Sequence, residues 1–189
     1  MAKKIPTTAA HIMMAFDTET TGLIDNASTR LDLQPEVIEF TGIIFDAANG
    51  NQLEELSLLF RPSKMPLPPK ITSITGITDA DLADAPPFPT LLPHVVKFIA
   101  RQPRIVAHNL SYDMEVLDLE MKRHGRPPIE WPRGVCTVEQ TIHLRGYRLS
   151  LQELHKELFG EHFTGAHRAR ADVQALIRCC VELRRRELI

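Results

Sequence analysis

The sequence predicts an α/β domain on a mixed five-stranded sheet, its first three strands antiparallel, flanked by helices. Three observations predict it. Runs rich in β-branched and aromatic residues occupy 36–46 and 53–62, after a short apolar run at 11–17, and the turn signal Asn49-Gly50 joins the second to the third. Beyond residue 90, strand-like and helix-like segments alternate, which calls for helices packed on a sheet. At 189 residues, 43% hydrophobic and 24% charged, the chain suits one domain with a sizeable core.

In chain order, residues 1–10 read as a flexible arm preceding a single domain over 11–189. The strand 11–17 runs into a polar loop, 20–35, holding Gly22, Asn26, Ser28 and Pro35. "PSKMPLPPK" (62–70) is proline-rich and non-helical, and "ITSITGITDADLADAPPF" reads as turns and short helical pieces. A helix starts near Thr90 with Pro93 in its first turn. "RIVAHN" is the fourth strand, and a helix over 112–124 stops at Gly125 and Pro127. "VCTVEQTIHL" holds a short fifth strand. Ser150 with Glu153 forms a capping box for a helix ending at Gly160, and the last helix starts near Ala169.

Composition bounds the function. The net charge of −2, from 22 basic and 24 acidic residues, argues against coating duplex DNA but not against handling nucleic acid in a small cleft. The basic clusters "RGYR", "HRAR" and "RRR" fall in the C-terminal third. No run of 18 apolar residues spans a membrane, and Asp17 arrives too soon for a secretory leader. Three cysteines without a C-x-x-C pair fit a reducing cytoplasm and exclude the usual structural zinc pattern.

The apolar start of the first strand ends in "FDTETTGL", with Asp17 and Glu19 two residues apart. In a strand that spacing puts both on one face, Cα atoms about 6.5 Å apart. Asp113 shares a helical stripe with Val116, Leu117 and Met121, and Asp172 shares one with Ala169, Val173, Leu176, Ile177, Cys180 and Leu183. Inward acids without a cation in their motifs repel one another unless divalent ions neutralise them, and an all-oxygen set suits magnesium or manganese. His167 lies five residues before Asp172, a turn of about 140° on a helix. It therefore belongs in the loop leading into that helix, where an imidazole suits a general base for water.

The ordered set D-x-E, D, H-x4-D resembles the DEDDh branch of the DnaQ-like 3′→5′ exonucleases, of the ribonuclease-H-like superfamily. "FDTETTGL", "VAHNLSYDMEVL" and "HRARADVQAL" resemble the three motifs, and "ITSITGIT" a further hallmark. The resemblance implies a ribonuclease-H-like fold and release of nucleoside 5′-monophosphates from 3′ ends. Asp17, Glu19, Asp113 and Asp172 would hold two Mg²⁺ or Mn²⁺ ions, with His167 as base. Thr18, Thr20, Thr21 and Leu23 would meet the terminal nucleotide, Leu23 as a wedge against its base. Ile74, Thr75 and Gly76 would line the opposite wall, and His108 and Asn109 the sugar–phosphate. Tyr112, also placed among the substrate contacts, stands where relatives often have phenylalanine, and 24–35 is an insertion.

The substrate implied is a single-stranded or frayed 3′ end, DNA favoured over RNA. An exoribonuclease, a polymerase's proofreading subunit and a non-catalytic nucleic-acid-binding module are the alternatives. "LEELSLLF" loosely resembles a sliding-clamp peptide but reads as strand three. The sequence stops soon after its last helix, which favours a stand-alone repair nuclease over a polymerase partner.

Overall fold

The computed structural model describes residues 11–189; the expected arm, 1–10, lies outside them. Five strands form one sheet in the order β3-β2-β1-β4-β5: β1 (Ile12–Thr20), β2 (Val37–Asp46), β3 (Gln52–Leu59), β4 (Arg104–Ala107) and β5 (Arg133–Cys136). The first three are antiparallel neighbours, and β4 and β5 join parallel to β1 and to each other. This is the mixed sheet expected, and its strand order is that of a ribonuclease-H-like fold.

Seven α-helices and a short 3-10 helix (Leu31–Leu33) complete the described chain: α1 (Pro69–Thr75), α2 (Asp79–Leu82), α3 (Phe88–Ala100), α4 (Leu110–Arg123), α5 (Thr137–Arg145), α6 (Leu151–Phe159) and α7 (Ala169–Arg185). Ser150 and Glu153 form the reciprocal capping box at α6, and Gly160 ends it in the left-handed conformation. Three expectations need correction. β1 continues through Thr20, so the polar segment begins later. The prolines at 68–69 do not extend a loop but start α1, because a proline in the first turn forfeits no helical hydrogen bond. "TVEQTIHLR" is a helix after a four-residue strand; its weak apolar periodicity concealed it.

Strand alternation divides the core. Met14 and Phe16 pack on one face with Val95, Ile99, Val116 and Leu117 of α3 and α4. Met13 and Ala15 pack on the other with Val173, Leu176 and Cys180 of α7. Continuing that parity, Asp17 and Glu19 belong to the α7 face and Thr18 to the α4 face. β2 is buried along all ten residues, so the sheet's centre is closed to water from both sides.

The segment 24–35 is folded on itself. The Gln34 amide accepts from the Asp25 N–H and donates to the Asp25 and Ser28 carbonyls. Arg123 of α4 donates to the carbonyls of Leu31, Gln34 and Pro35.

Candidate active site

The carboxyl end of β1 places its acids against the start of α7. Asp17, Glu19 and Asp172 each offer an oxygen within 4.8 Å of the others. The donors are all carboxylate oxygens, a set that fits a hard divalent cation and not zinc. Asp113 is not one of this trio but lies close enough to raise Asp17 and Glu19. It comes from α4, on the opposite sheet face, and its Oδ1 accepts both the N–H (3.0 Å) and the hydroxyl (2.7 Å) of Thr18.

The charges are held at a cost. Burial, then the neighbouring carboxylates Asp113, Asp172, Glu19 and Glu39, raise Asp17 well above the ordinary carboxylate range. Burial, with Asp172, Glu39 and Asp113, pushes Glu19 up to about 8, against the pull of Arg168. Burial pushes Asp113 to about 7 despite its Thr18 donors. It pushes Asp172 to about 7 despite the backbone N–H groups of His167 and Arg168. Carboxylates this reluctant to ionise are what cations would neutralise.

His167 lies two residues before α7, in the loop, as expected. Its φ is 64°, and its N–H donates to Asp172 Oδ2 at 2.8 Å. The ring belongs to an exposed residue.

A cleft of about 430 Å³ opens beside the acids, lined by Thr18, Glu19, Thr20, Gly22 and Leu23 from β1 and the turn after it, by Lys70, Ile71, Ile74 and Thr75 of α1, and by Asn109 and Tyr112 at the start of α4. Leu23 is 83% exposed and Ile74 42%, an apolar pair with no fold-stabilising burial. The Thr20 hydroxyl donates to the Gly22 carbonyl (2.7 Å), and the Tyr112 hydroxyl lies 2.8 Å from that hydroxyl and 2.9 Å from the same carbonyl. The Tyr112 phenol thus fastens α4 to the end of β1 and the turn after it.

Three residues singled out in the sequence do not line the cleft. The Thr21 hydroxyl accepts the Glu36 N–H and closes the segment 24–35. Gly76 caps α1 at φ 70°. The His108 ring spans Thr137 Oγ1 (2.9 Å) and the Leu149 carbonyl (3.0 Å). A carbonyl only accepts, so Nε2 carries the proton and Nδ1 accepts from Thr137. Burial drives the His108 pKa down to about 4, so the ring is a neutral strut.

Others were missed. Lys70 and Ile71 lay in segments read as loop and turns. Glu39, buried on β2, faces Glu19 in register and engages Arg168, so the third motif does contain a cation. An ionisable residue inside the apolar run "VIEFTGIIF" was the available signal.

A family model described as Exonuclease, RNase_T, matches residues 14–180. DNA polymerase III subunit epsilon of Treponema pallidum (strain Nichols) is 30% identical over 172 residues, covering 89% of this chain and 73% of the relative. A PolC-type DNA polymerase III of Streptococcus pyogenes serotype M2 is 31% identical over 119 residues, 63% of this chain but 7% of that protein. Exonuclease X in complex with 5′ overhanging duplex DNA superposes with a TM-score of 0.64 at 25% identity over 92% of both chains. The nuclease domain of 3′hExo, a DEDDh family member bound to rAMP, superposes with a TM-score of 0.75 at 16% identity, covering 93% of this chain and 92% of that one.

The sheet, with acids at the carboxyl end of its central strand β1, has the ribonuclease-H-like fold, and the chain belongs to the RNase_T exonuclease family, within its DnaQ-like group. Its family is one of exonucleases. Family membership implies divalent metal ions, for which the acidic cluster is present.

Proposed function

We propose that the chain hydrolyses the last phosphodiester bond of single-stranded or frayed DNA 3′ ends, releasing nucleoside 5′-monophosphates. The observation that carries this reading is the convergence of Asp17, Glu19 and Asp172 at one edge of a nucleotide-sized cleft. Asp17, Glu19 and Asp172, joined by Asp113 through its remaining oxygen, would hold two Mg²⁺ or Mn²⁺ ions. When bound, such a pair supplies a hydroxide near neutral pH and stabilises the leaving oxygen.

The protein's own groups do the rest. Leu23, Ile71 and Ile74 offer apolar faces on which a terminal base packs, which orients the strand end. Thr18, Thr20, Thr75 and Tyr112 are tied up by internal bonds and act as rigid walls. Asn109, the left-handed residue before α4, and Lys70 border the sugar–phosphate path. His167 takes the proton of the attacking water, from a loop that lets the ring reach in from outside the acid cluster.

Resemblance to a polymerase III epsilon subunit over 89% of the chain favours a second reading, proofreading for a polymerase. The clamp-like "LEELSLLF" lends it no support, because Gln52–Leu59 is edge strand β3.

The test is a panel of end-labelled single-stranded, duplex and mismatched DNA, with matched RNA, in Mg²⁺ or Mn²⁺. Mononucleotides released from the DNA 3′ end, lost with EDTA and in Asp17→Ala, support the reading. Faster digestion of RNA would make the chain an exoribonuclease. Selective removal of mismatched ends together with co-purification of a polymerase would favour proofreading. No release from any substrate would leave a binding module.

A further inference from the structure

The turn that presents His167 is held from outside itself. Glu39 sits on β2 opposite Glu19, its side chain 4% exposed. Its carboxylate accepts three donors from the entrance to α7: Arg168 Nη2 at 3.1 Å, Arg168 Nε at 3.3 Å and the Ala169 N–H at 3.0 Å. Arg168 and Ala169 are the two residues that follow His167. On the near side, Asp172 Oδ2 accepts the His167 N–H. The backbone of His167 is therefore pinned on both sides.

That pinning matters because His167 has φ 64°. A residue with a Cβ keeps this conformation only where its surroundings over-determine it. Arg168 donates to Glu39 through a planar two-nitrogen fork, which fixes direction as well as distance. A buried acid beside Asp17, Glu19 and Asp172 is electrostatically costly, since the Glu39 charge makes each of those three harder to ionise. Glu39 offers no oxygen to the converging trio. What its burial secures is the start of α7.

We propose that Glu39 and Arg168 form a positioning pair for His167: the Glu39 carboxylate anchors Arg168 and the Ala169 amide, and so fixes the left-handed turn from which the imidazole reaches the acid cluster. The pair acts through His167 and touches neither substrate nor metal. The inference rests on the reading of His167 as the base.

Steady-state kinetics on a single-stranded DNA oligonucleotide test it, using Arg168→Gln, Arg168→Lys, His167→Ala and the double variant His167→Ala/Arg168→Gln. Calorimetric Mn²⁺ titration accompanies each. The Arg168 side chain is 46% exposed, so its replacement leaves the core intact. Arg168→Gln is expected to lower kcat by about 10- to 100-fold, with KM and the Mn²⁺ dissociation constant within about threefold of wild type. Arg168→Lys, with charge but no fork, recovers only part. The double variant is no slower than His167→Ala within about twofold. Glu39→Gln, which still accepts the Ala169 N–H, falls between wild type and Arg168→Gln.

A raised KM with unchanged kcat would make Arg168 a substrate contact and overturn the proposal. So would losses that multiply in the double variant, or an Arg168→Gln enzyme as fast as wild type. If His167→Ala itself turns over normally, it is the reading of His167 as base that fails. If His167→Ala is slow while the two losses multiply, that reading stands and the positioning pair falls.

Discussion

Thr18 gives both its backbone N–H and its hydroxyl to a single oxygen of Asp113, 95 residues away in the chain. The contact crosses from β1 to α4 and leaves the other carboxylate oxygen outside it. Thr18→Val keeps the shape and the N–H but removes the hydroxyl. A buried hydrogen bond to a charged acceptor contributes about 1.5–3 kcal/mol, so the urea midpoint falls correspondingly. Mn²⁺ binding weakens, because the loosened Asp113 keeps its proton to higher pH. A stable variant with unaltered Mn²⁺ affinity would mean that Asp113 is oriented by something else.

The acid cluster makes stability depend on pH in a defined direction. Asp113 and Asp172 titrate near 7 and Glu19 near 8 in the folded chain, against about 4 when unfolded. Between about pH 4 and pH 8 the folded state binds more protons, so stability falls as pH rises through that window. Without metal, the melting temperature drops by more than about 10 °C between pH 5 and pH 8. Mn²⁺ raises the melting point more at pH 8 than at pH 5. A metal-free melting curve that is flat or rises across this range would contradict the crowding of the acids.

Asp172→Asn removes one member of the cluster while keeping an oxygen to accept the His167 N–H. At pH 8 and without metal the variant melts above wild type, because repulsion on Glu19 is relieved. In Mn²⁺ the order reverses and exonuclease activity is lost. Thermal melts in EDTA and in Mn²⁺ provide the comparison; a sharp fall in EDTA would show Asp172 to be structural.

Leu23 is 83% exposed at the cleft rim, so the fold gains little from it. Leu23→Ala leaves the melting temperature within about 1 °C. It raises KM for a single-stranded end roughly 5- to 30-fold, the effect of a lost stacking surface worth about 1–2 kcal/mol. Unchanged KM and kcat would remove Leu23 from the substrate path.

The sequence was most legible where chemistry and periodicity coincide. Asp17 and Glu19 could be assigned to one face because strand parity is strict, and Ser150 and Gly160 bounded α6 because capping is local. Parity also separated Thr18 from its neighbours, yet the Thr18–Asp113 bond stayed hidden, since nothing local records which helix covers which face. The struts of the His108 ring, Thr137 and Leu149, could not be read locally because they lie 29 and 41 residues away. The helix at 137–145 was missed because its buried face is made of Thr137, Val138 and Thr141, too polar to mark a stripe.

The most direct measurement is anomalous diffraction from a crystal soaked in Mn²⁺ with a nucleoside 5′-monophosphate. Two peaks are predicted at the end of β1, ligated by Asp17, Glu19, Asp172 and the free oxygen of Asp113, with the nucleotide against Leu23 and Ile74. Absence of density between these side chains, or manganese bound elsewhere on the surface, would contradict the assignment of the site.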